Sequence, residues 1–154
     1  MKILVFSDSH GERELMKSLI IAQNPDMVLH LGDYIADMTA IKGQFKAIDI
    51  RGVRGNCDGK TNAADSLYFN IEGKNIFMTH GHDYQVKIGY KRIFTAASEK
   101  NADILLFGHT HKALRDMAGG IQILNPGSIG KGRRRSYGII EIDCGDIKTQ
   151  IQTA

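Results

Sequence analysis

The chain has 154 residues, the length of one ordinary globular domain, and we expect a single domain over residues 1–154. Hydrophobic residues make up 42% and charged residues 24%, which excludes a largely disordered or collagen-like chain. The net charge of +3 gives only a mild attraction to polyanions, so charge alone does not indicate a nucleic-acid-binding protein.

The cysteines and the N-terminal residues indicate a cellular compartment. Cys57 and Cys144 form neither a CxxC pair nor a disulfide framework, which suits a reducing environment. The apolar run at residues 1–6 is far shorter than the ~20 residues of a membrane span, and no signal-peptide cleavage pattern follows it. We therefore expect a cytoplasmic protein without a membrane partner.

The first part of the chain alternates predicted strands and helices. Short apolar runs predict strands at 3–6, 27–31 and 46–53. Apolar residues at helical spacing predict helices at 12–23 and 35–43, the first ending before a proline that disfavours its continuation. This order is typical of an α/β fold with parallel strands.

The second part is richer in strands. Residues 67–71 and 75–78 flank a Glu-Gly-Lys turn and predict a β-hairpin, so the sheet is mixed. A helix at 88–100 then leads to a strand at 104–107. Further strands are predicted at 113–117, 121–124, 137–142 and 147–151. The expected architecture is α/β, with two packed sheets flanked by helices.

Polar side chains follow five of the predicted strands. They form the motifs Asp8-x-His10, Gly32-Asp33, Gly55-Asn56, His80-Gly81-His82 and Gly108-His109-Thr110-His111. In layered α/β folds ligands bind outside the strand ends, so we expect these side chains to converge. Carboxylate oxygens and neutral imidazoles suit Mn, Fe, Zn, Co or Ni, whereas Mg or Ca alone favours oxygen ligands. The set is large enough for two ions.

This ordered series resembles the calcineurin-like metallophosphoesterases, and most of all their small bacterial and archaeal YfcE-type phosphodiesterases. The resemblance rests on five motifs that together span almost the whole chain. They are Ser-Asp-Ser-His-Gly at 7–11, Gly-Asn-Cys-Asp at 55–58, Thr-His-Gly-His at 79–82, Gly-His-Thr-His at 108–111 and Asn-Pro-Gly-Ser at 125–128. Each tetrapeptide alone is weak, but their order is specific. The family fold is a four-layer αββα sandwich with two mixed sheets, which we adopt.

The resemblance also implies a division of ligands between two divalent ions. One ion is held by Asp8, His10 and His111. The other is held by Asn56, His80 and His109, and Asp33 bridges the two. Mn is the expected metal, with Ni, Co, Fe and Zn as alternatives. A hydroxide held between the ions is then the expected nucleophile for in-line attack on the phosphorus of a small phosphodiester.

Two further residues are candidates for catalysis beside the ligands Asp33 and Asn56. Many family members place a histidine directly after the asparagine and use it as the general acid, but this chain has Cys57 there. A thiol with a pKa near ~8.5 is a poorer proton donor, so His82 or water is an alternative donor. The competing interpretation of Cys57 is a small buried packing residue.

The remaining polar residues have simpler interpretations. His30 lies inside a predicted strand and reads as a core or surface histidine, and Asp58 reads as support for the ligands rather than a ligand. The basic run 131–135 is typical of a solvated loop, although its position after Asn-Pro-Gly-Ser leaves substrate binding as an alternative.

Two other functional classes remain in competition. The superfamily includes a retromer subunit that keeps the fold as a protein-interaction scaffold, but that subunit has replaced several ligands that this chain retains. A nucleic-acid-binding module rests on the arginines at 133–135 alone, without interleaved aromatic residues, and ranks last. The sequence leaves a homo-oligomer open.

Overall fold

A computed structural model describes residues 1–130 and 134–154. Its strands are β1 (Lys2–Phe6), β2 (Met27–His30), β3 (Asp49–Gly52), β4 (Ser66–Ile71), β5 (Lys74–Thr79), β6 (Ile104–Leu106), β7 (Leu114–Ala118), β8 (Ile121–Asn125), β9 (Ser136–Asp143) and β10 (Asp146–Thr153). Its α-helices are α1 (Arg13–Gln23), α2 (Ile35–Lys42) and α3 (Lys91–Glu99), and a 3₁₀ turn spans His82–Tyr84. No helix in the described ranges is both long and apolar enough to cross a membrane.

The strands form two mixed five-stranded sheets. The first has the order β10-β9-β1-β2-β3 and the second the order β4-β5-β6-β8-β7. Strands β1, β2 and β3 are parallel, as are β5, β6 and β8, while the outer strands pair antiparallel. The carboxyl ends of three parallel strands therefore lie along one edge of each sheet.

Alternation along the strands separates three apolar layers. In β1, Ile3 and Val5 pack in a cluster between the sheets, whereas Leu4 and Phe6 pack against α1 and α2. In the second sheet, Phe77 lies in a third cluster with residues of α3. Because successive side chains of a strand point to opposite faces, each sheet is covered on both sides. The predicted four-layer αββα sandwich is confirmed.

Two predicted boundaries lie three residues from the observed ones, for local reasons. The strand predicted at 46–53 spans only Asp49–Gly52, because the chain before it turns and Ile48 N–H donates to Phe45 O. The helix predicted at 88–100 begins at Lys91 instead. Ile88 is 86% exposed and sits in a turn closed by its N–H bond to Gln85 O, so it contributes nothing to the core.

Candidate metal centre

The loops that follow the parallel strands of both sheets meet at one edge of the molecule. Asp8 N–H donates to Gly32 O, which joins the loops after β1 and β2. Gly108 N–H donates to His80 O, which joins the loops after β6 and β5. Gly130 N–H donates to Asp8 O and links the two sheets. The predicted convergence of the motifs on one place is thus observed.

Asp8 is fully buried, and only one of its carboxylate oxygens is satisfied. Its Oδ2 accepts hydrogen bonds from Ser7 Oγ at 2.5 Å and from His109 N–H at 3.3 Å. Its Oδ1 has no hydrogen-bond partner among the described residues, although His111 Nε2 lies 3.0 Å away. A buried carboxylate oxygen of this kind needs a cation or proton, because its desolvation is otherwise uncompensated.

His80 shows the orientation of a metal-binding imidazole. Its buried Nδ1 lies 2.7 Å from Leu31 O, a group that can only accept, so Nδ1 carries the proton. In the neutral ring Nε2 then offers a lone pair. That lone pair faces other acceptors, with Asn56 Oδ1 at 3.2 Å and Asp33 Oδ2 at 3.5 Å. Fixing of the tautomer by a backbone carbonyl is usual for histidines that ligate metals.

Asp33 lies beside His80 with one oxygen held by the backbone. Its Oδ1 accepts from Cys57 N–H at 2.8 Å. Burial opposes ionisation of the carboxyl, but this hydrogen bond and the nearby imidazoles outweigh it and keep the pKa of Asp33 below its ordinary value. The carboxylate is therefore charged at neutral pH, with Oδ2 directed at the site.

The donor atoms fall into two groups that share one residue. Asp8, His10 and His111 bring one donor atom each to within 4.8 Å of one another, and so do Asp8, Asp33 and His80. Asn56 joins the second group through the contact of its Oδ1 with His80. His109 joins it too, its Nδ1 lying 3.2 Å from His80 Nε2. The structure thus brings together all seven predicted ligands, and their mixed N and O donors fit transition-metal ions.

The backbone conformation of the loops explains how side chains beyond the strand ends point into the candidate site. Five candidate ligands have left-handed backbone angles, with φ between +46° and +65°: Asp8, His10, Asp33, His109 and His111. Such conformations cost energy for residues other than glycine and are concentrated at functional sites. Alternation along a strand therefore does not orient Asp8 and His10, because both lie in the loop after β1.

Gly55 is needed for the close approach of the loops. A Cβ at this position would overlap Asp33 Oδ1 and lie 2.5 Å from Asp33 N, distances that real side chains do not adopt. The glycine therefore lets the loop after β3 reach the carboxylate of Asp33, which the Cys57 N–H then binds.

The two remaining catalytic candidates border this cluster. Cys57 is exposed, so the interpretation of it as a buried packing residue is wrong. A hydrogen bond to Asp33 and partial desolvation raise the pKa of its thiol, which is protonated at neutral pH. The His82 ring centroid lies 5.4 Å from that of His80, and its buried Nδ1 has no hydrogen-bond partner in the described part of the chain.

Burial sets the charge state of another histidine in the metal-free site. It lowers the pKa of His109 to about 4, and the neighbouring His80, Lys87 and His82 act in the same direction. The ring is therefore neutral at physiological pH, the form in which imidazole binds metal.

A buried network under the loop at 7–11 was not predicted from the sequence. Asp37 accepts from Ser9 Oγ at 2.8 Å, from Gly11 N–H at 2.7 Å and from Arg13 Nε at 2.6 Å. His30, a fully buried core histidine, lies 3.2 Å from Ser9 Oγ and accepts from Gly32 N–H. Burial lowers the pKa of His30 to about 4, so it is neutral. The only sign of this network in the sequence is Asp37, a lone acidic residue within the predicted helix at 35–43.

Asp58 supports the loop after β3, as predicted. Its Oδ1 accepts from Ile35 N–H and its Oδ2 from Gly55 N–H, both at 2.8 Å. Both oxygens are thereby engaged in holding the loops at 33–35 and 55–58 together. Asp58 therefore positions the loop that carries Asn56 and Cys57.

The basic run after Asn-Pro-Gly-Ser falls partly outside the described residues, which omit 131–133. Of its two described members, Arg134 is exposed and Arg135 Nη2 donates to Glu12 Oε1 at 2.6 Å. This ion pair joins β9 to the start of α1. The substrate-binding alternative for the run stays a prediction.

Comparison with known sequences gives a consistent result. The family described as "Calcineurin-like phosphoesterase superfamily domain" matches residues 1–145. The probable metallophosphoesterase YsnB of Bacillus subtilis is 31% identical over 149 residues, covering 93% of this chain and 85% of YsnB. The phosphodiesterase YfcE of Escherichia coli is 29% identical over 171 residues, covering 93% of this chain and 89% of YfcE.

Comparison with solved structures agrees. A conserved protein from Streptococcus pneumoniae, described as a predicted phosphoesterase, superposes with a TM-score of 0.84 at 30% identity, covering 99% of this chain and 88% of its own. Vps29 of Entamoeba histolytica complexed with zinc superposes with a TM-score of 0.78 at 22% identity, covering 99% of both chains, which establishes likeness of fold alone.

Proposed function

Since this chain belongs to the calcineurin-like phosphoesterase superfamily and is a metal-dependent phosphoric ester hydrolase, we propose that it cleaves phosphodiesters with two divalent ions and a hydroxide held between them. The proposed substrate is a small phosphodiester, the class named for YfcE. We further propose a single domain over residues 1–154 that works in the cytoplasm, with homo-oligomerisation left to measurement.

The observation that carries the proposal is a cluster of carboxylate, amide and imidazole groups whose potential metal-binding atoms face one another. His80 Nε2, Asn56 Oδ1 and Asp33 Oδ2 face one another, and each offers a lone pair. Asp8 Oδ1 faces His111 in the same way at the other side of the cluster. Opposed lone pairs repel unless a proton or a cation lies between them, and the two groups of donors around Asp8 fit two cation positions.

The assignment of ligands follows the two groups. We propose that Asp8, His10 and His111 hold one ion, that Asn56, His80 and His109 hold the other, and that Asp33 bridges them. Two ions held by these residues would lower the pKa of bound water to about 7 and would neutralise charge that develops on the attacked phosphoryl group. Asp8 belongs to both donor groups, so it also lies close enough to the second position to orient its ligands.

The residues around the ligands have separate proposed roles. The Asn56 amide nitrogen, which donates to Cys57 Sγ at 3.4 Å, is available to turn towards a phosphate oxygen. His82, with its unpartnered Nδ1, is the nearest imidazole outside the ligand set and is proposed to contact the substrate phosphate or to donate a proton. Cys57 keeps its proton at neutral pH and is the other proposed donor.

Mn is the proposed metal, with Ni, Co, Fe and Zn as alternatives. Four of the seven proposed ligands are histidines, and imidazole nitrogen favours these ions over Mg. The three carboxylate or amide ligands keep enough oxygen for Mn.

The test is hydrolysis of bis(p-nitrophenyl) phosphate and of p-nitrophenyl phosphate after chelation and dialysis. We expect chelation to abolish hydrolysis, Mn to restore it better than Mg, and the diester to be the better substrate. Full activity of protein shown by elemental analysis to be metal-free would reject the metal mechanism. Binding of metal without hydrolysis of either ester would favour the scaffold alternative.

A further inference from the structure

A pocket adjoins the candidate metal centre. It has a volume of about 290 Å³ and is lined by Val86, Lys87, Tyr90, Thr110 and Lys112. We propose that it receives one ester group of the substrate, and that this group is a nucleotide whose flat base stacks on Tyr90 and whose second phosphate lies between Lys87 and Lys112. This proposal rests on the proposed phosphodiesterase function and names the class of its substrate.

Lys112 is fixed to the loop that carries two proposed ligands. The Thr110 hydroxyl, between His109 and His111, accepts from Lys112 N–H at 3.2 Å and donates to Lys112 O at 3.3 Å. The same hydroxyl accepts from Asn125 Nδ2 at 3.0 Å, which ties it to the end of β8. The backbone of Lys112 therefore has a defined position relative to the metal ligands.

Lys87 is anchored to the other histidine loop. It follows Val86, which is 2% exposed and whose N–H donates to Gly81 O, between His80 and His82. Neither Lys87 nor Lys112 pairs with an acidic side chain within residues 1–130 and 134–154. Their two positive charges therefore match a phosphate dianion.

The ring of Tyr90 packs on one side against the ring of Phe107. Its ring centroid lies 5.3 Å from that of Phe107, which is buried directly before Gly108 and His109. The residue is nevertheless 44% exposed. An aromatic side chain held in this way stacks on the face of a base without regard to its identity. The pocket volume of about 290 Å³ is close to the ~300 Å³ at which typical ligand sites begin. This size suits one nucleotide unit rather than a long strand.

The experiment compares two substrates with the same scissile bond and leaving group. They are thymidine 5′-(p-nitrophenyl phosphate) and the same compound with a phosphate at the 3′ position. In the Mn-loaded wild-type protein we expect kcat/KM to be roughly tenfold higher for the phosphorylated compound, the scale of one charge-assisted contact. In the double variant Lys87→Ala, Lys112→Ala the ratio should fall to near parity.

Lys148→Ala is the matched control, because Lys148 is exposed on β10 towards the opposite end of the sheet and lines a different pocket. It should keep the wild-type ratio. No preference in the wild type, a preference that survives in the double variant, or equal loss in the control would each overturn the phosphate site.

The ring is tested separately with Tyr90→Leu, measured against methyl p-nitrophenyl phosphate, which has no base. The preference for the thymidine substrate over the methyl one should fall, while the effect of the 3′ phosphate remains. An unchanged preference would show that Tyr90 does not stack on a base. The ester group would then be another phosphate-bearing group and not a nucleotide. Should no diester be hydrolysed, the proposed function fails, and calorimetry with thymidine 3′,5′-bisphosphate and thymidine 5′-monophosphate decides the pocket by the same comparison of variants.

Discussion

The two sides of the candidate metal centre are built differently. Asp8, Asp33 and His80 are 0%, 2% and 0% exposed, and each is held by a backbone hydrogen bond. On the other side, the His111 side chain is 45% exposed and Asn56 lies on the surface. Among the described residues, His111 Nε2 has a polar contact with Asp8 Oδ1 alone, and the His111 ring lies edge-on to that of His10.

We therefore expect the fold to organise the buried side and a bound metal to complete the exposed side. Preformed ligands cost no ordering entropy when an ion binds, whereas a mobile imidazole must be fixed. Substitutions on the two sides should separate folding from metal binding, and the predictions below test that separation.

Asp33→Asn should cause the largest loss, roughly 10³-fold or more in kcat. The amide oxygen retains the bond from Cys57 N–H, so the loop should stay folded. The amide nitrogen, however, directs its protons at the lone pair of His80 and removes the charge that compensates the ions. Steady-state kinetics with bis(p-nitrophenyl) phosphate, at metal contents verified by elemental analysis, measures this loss.

His82→Ala is the comparison for that result, with Asp143→Asn, an exposed residue at the end of β9, as the neutral control. We expect His82→Ala to lose about 10²-fold at most, the lower range of a general acid, and the control to lose nothing. Equal losses for Asp33→Asn and His82→Ala in comparably metallated protein would contradict the bridging role.

His80→Ala and His111→Ala should separate the effect on folding stability from the effect on metal binding. Removing His80 leaves Leu31 O unpaired in the core and creates a cavity, so the metal-free protein should lose about 3 kcal/mol of unfolding free energy. Removing His111 should change it by less than about 0.5 kcal/mol, because that side chain is partly exposed. Urea unfolding in chelator measures both values.

Metal affinity completes the comparison, since both variants should bind Mn more weakly than the wild type in calorimetric titrations. A destabilised His111→Ala protein, or a His80→Ala protein as stable as the wild type, would show that the two sides do not differ as the burial indicates.

Acid should destabilise the metal-free protein before the carboxylates titrate, because of the buried His30. The pKa of His30 is about 4 in the folded protein and ordinarily about 6.5, so the unfolded chain binds the proton first. The stability that depends on a neutral His30 is complete above pH 6.5 and is lost as the pH falls towards 4. His30→Gln should reduce this loss by about 2 kcal/mol in the metal-free protein. Unfolding curves between pH 7 and 4 measure it, and parallel curves for both proteins would contradict it.

Much of the site could be predicted from the sequence, because its ligands follow strands that are themselves easy to recognise. The apolar runs before Asp8 and His80 identify two buried strands, and parallel strands bring their carboxyl ends to one edge. The left-handed backbone of Asp8 and His10 was not predictable, because the loop that carries it is held by bonds over a long sequence separation, such as that from Gly130 N–H to Asp8 O. The role of Asp37 depends in the same way on distant partners.

The last prediction concerns Cys57, which lies on the exposed side and should give the smallest effect. Cys57→His should raise kcat/KM for a dialkyl phosphodiester by up to about tenfold and leave the nitrophenyl diester nearly unchanged. An alkoxide needs a proton as it leaves, whereas nitrophenolate departs without one. The exposed position leaves room for an imidazole, and the loop bond from residue 57 N–H to Asp33 does not depend on the side chain. The thiol itself, with its raised pKa, releases a proton poorly at neutral pH. Cys57→Ser, which keeps the size but supplies no acid, is the control and should help neither substrate. If both substrates change by the same factor in Cys57→His at equal metal content, or if the alkyl diester loses more, then residue 57 is not a proton donor, and His82 or water remains to protonate the leaving group.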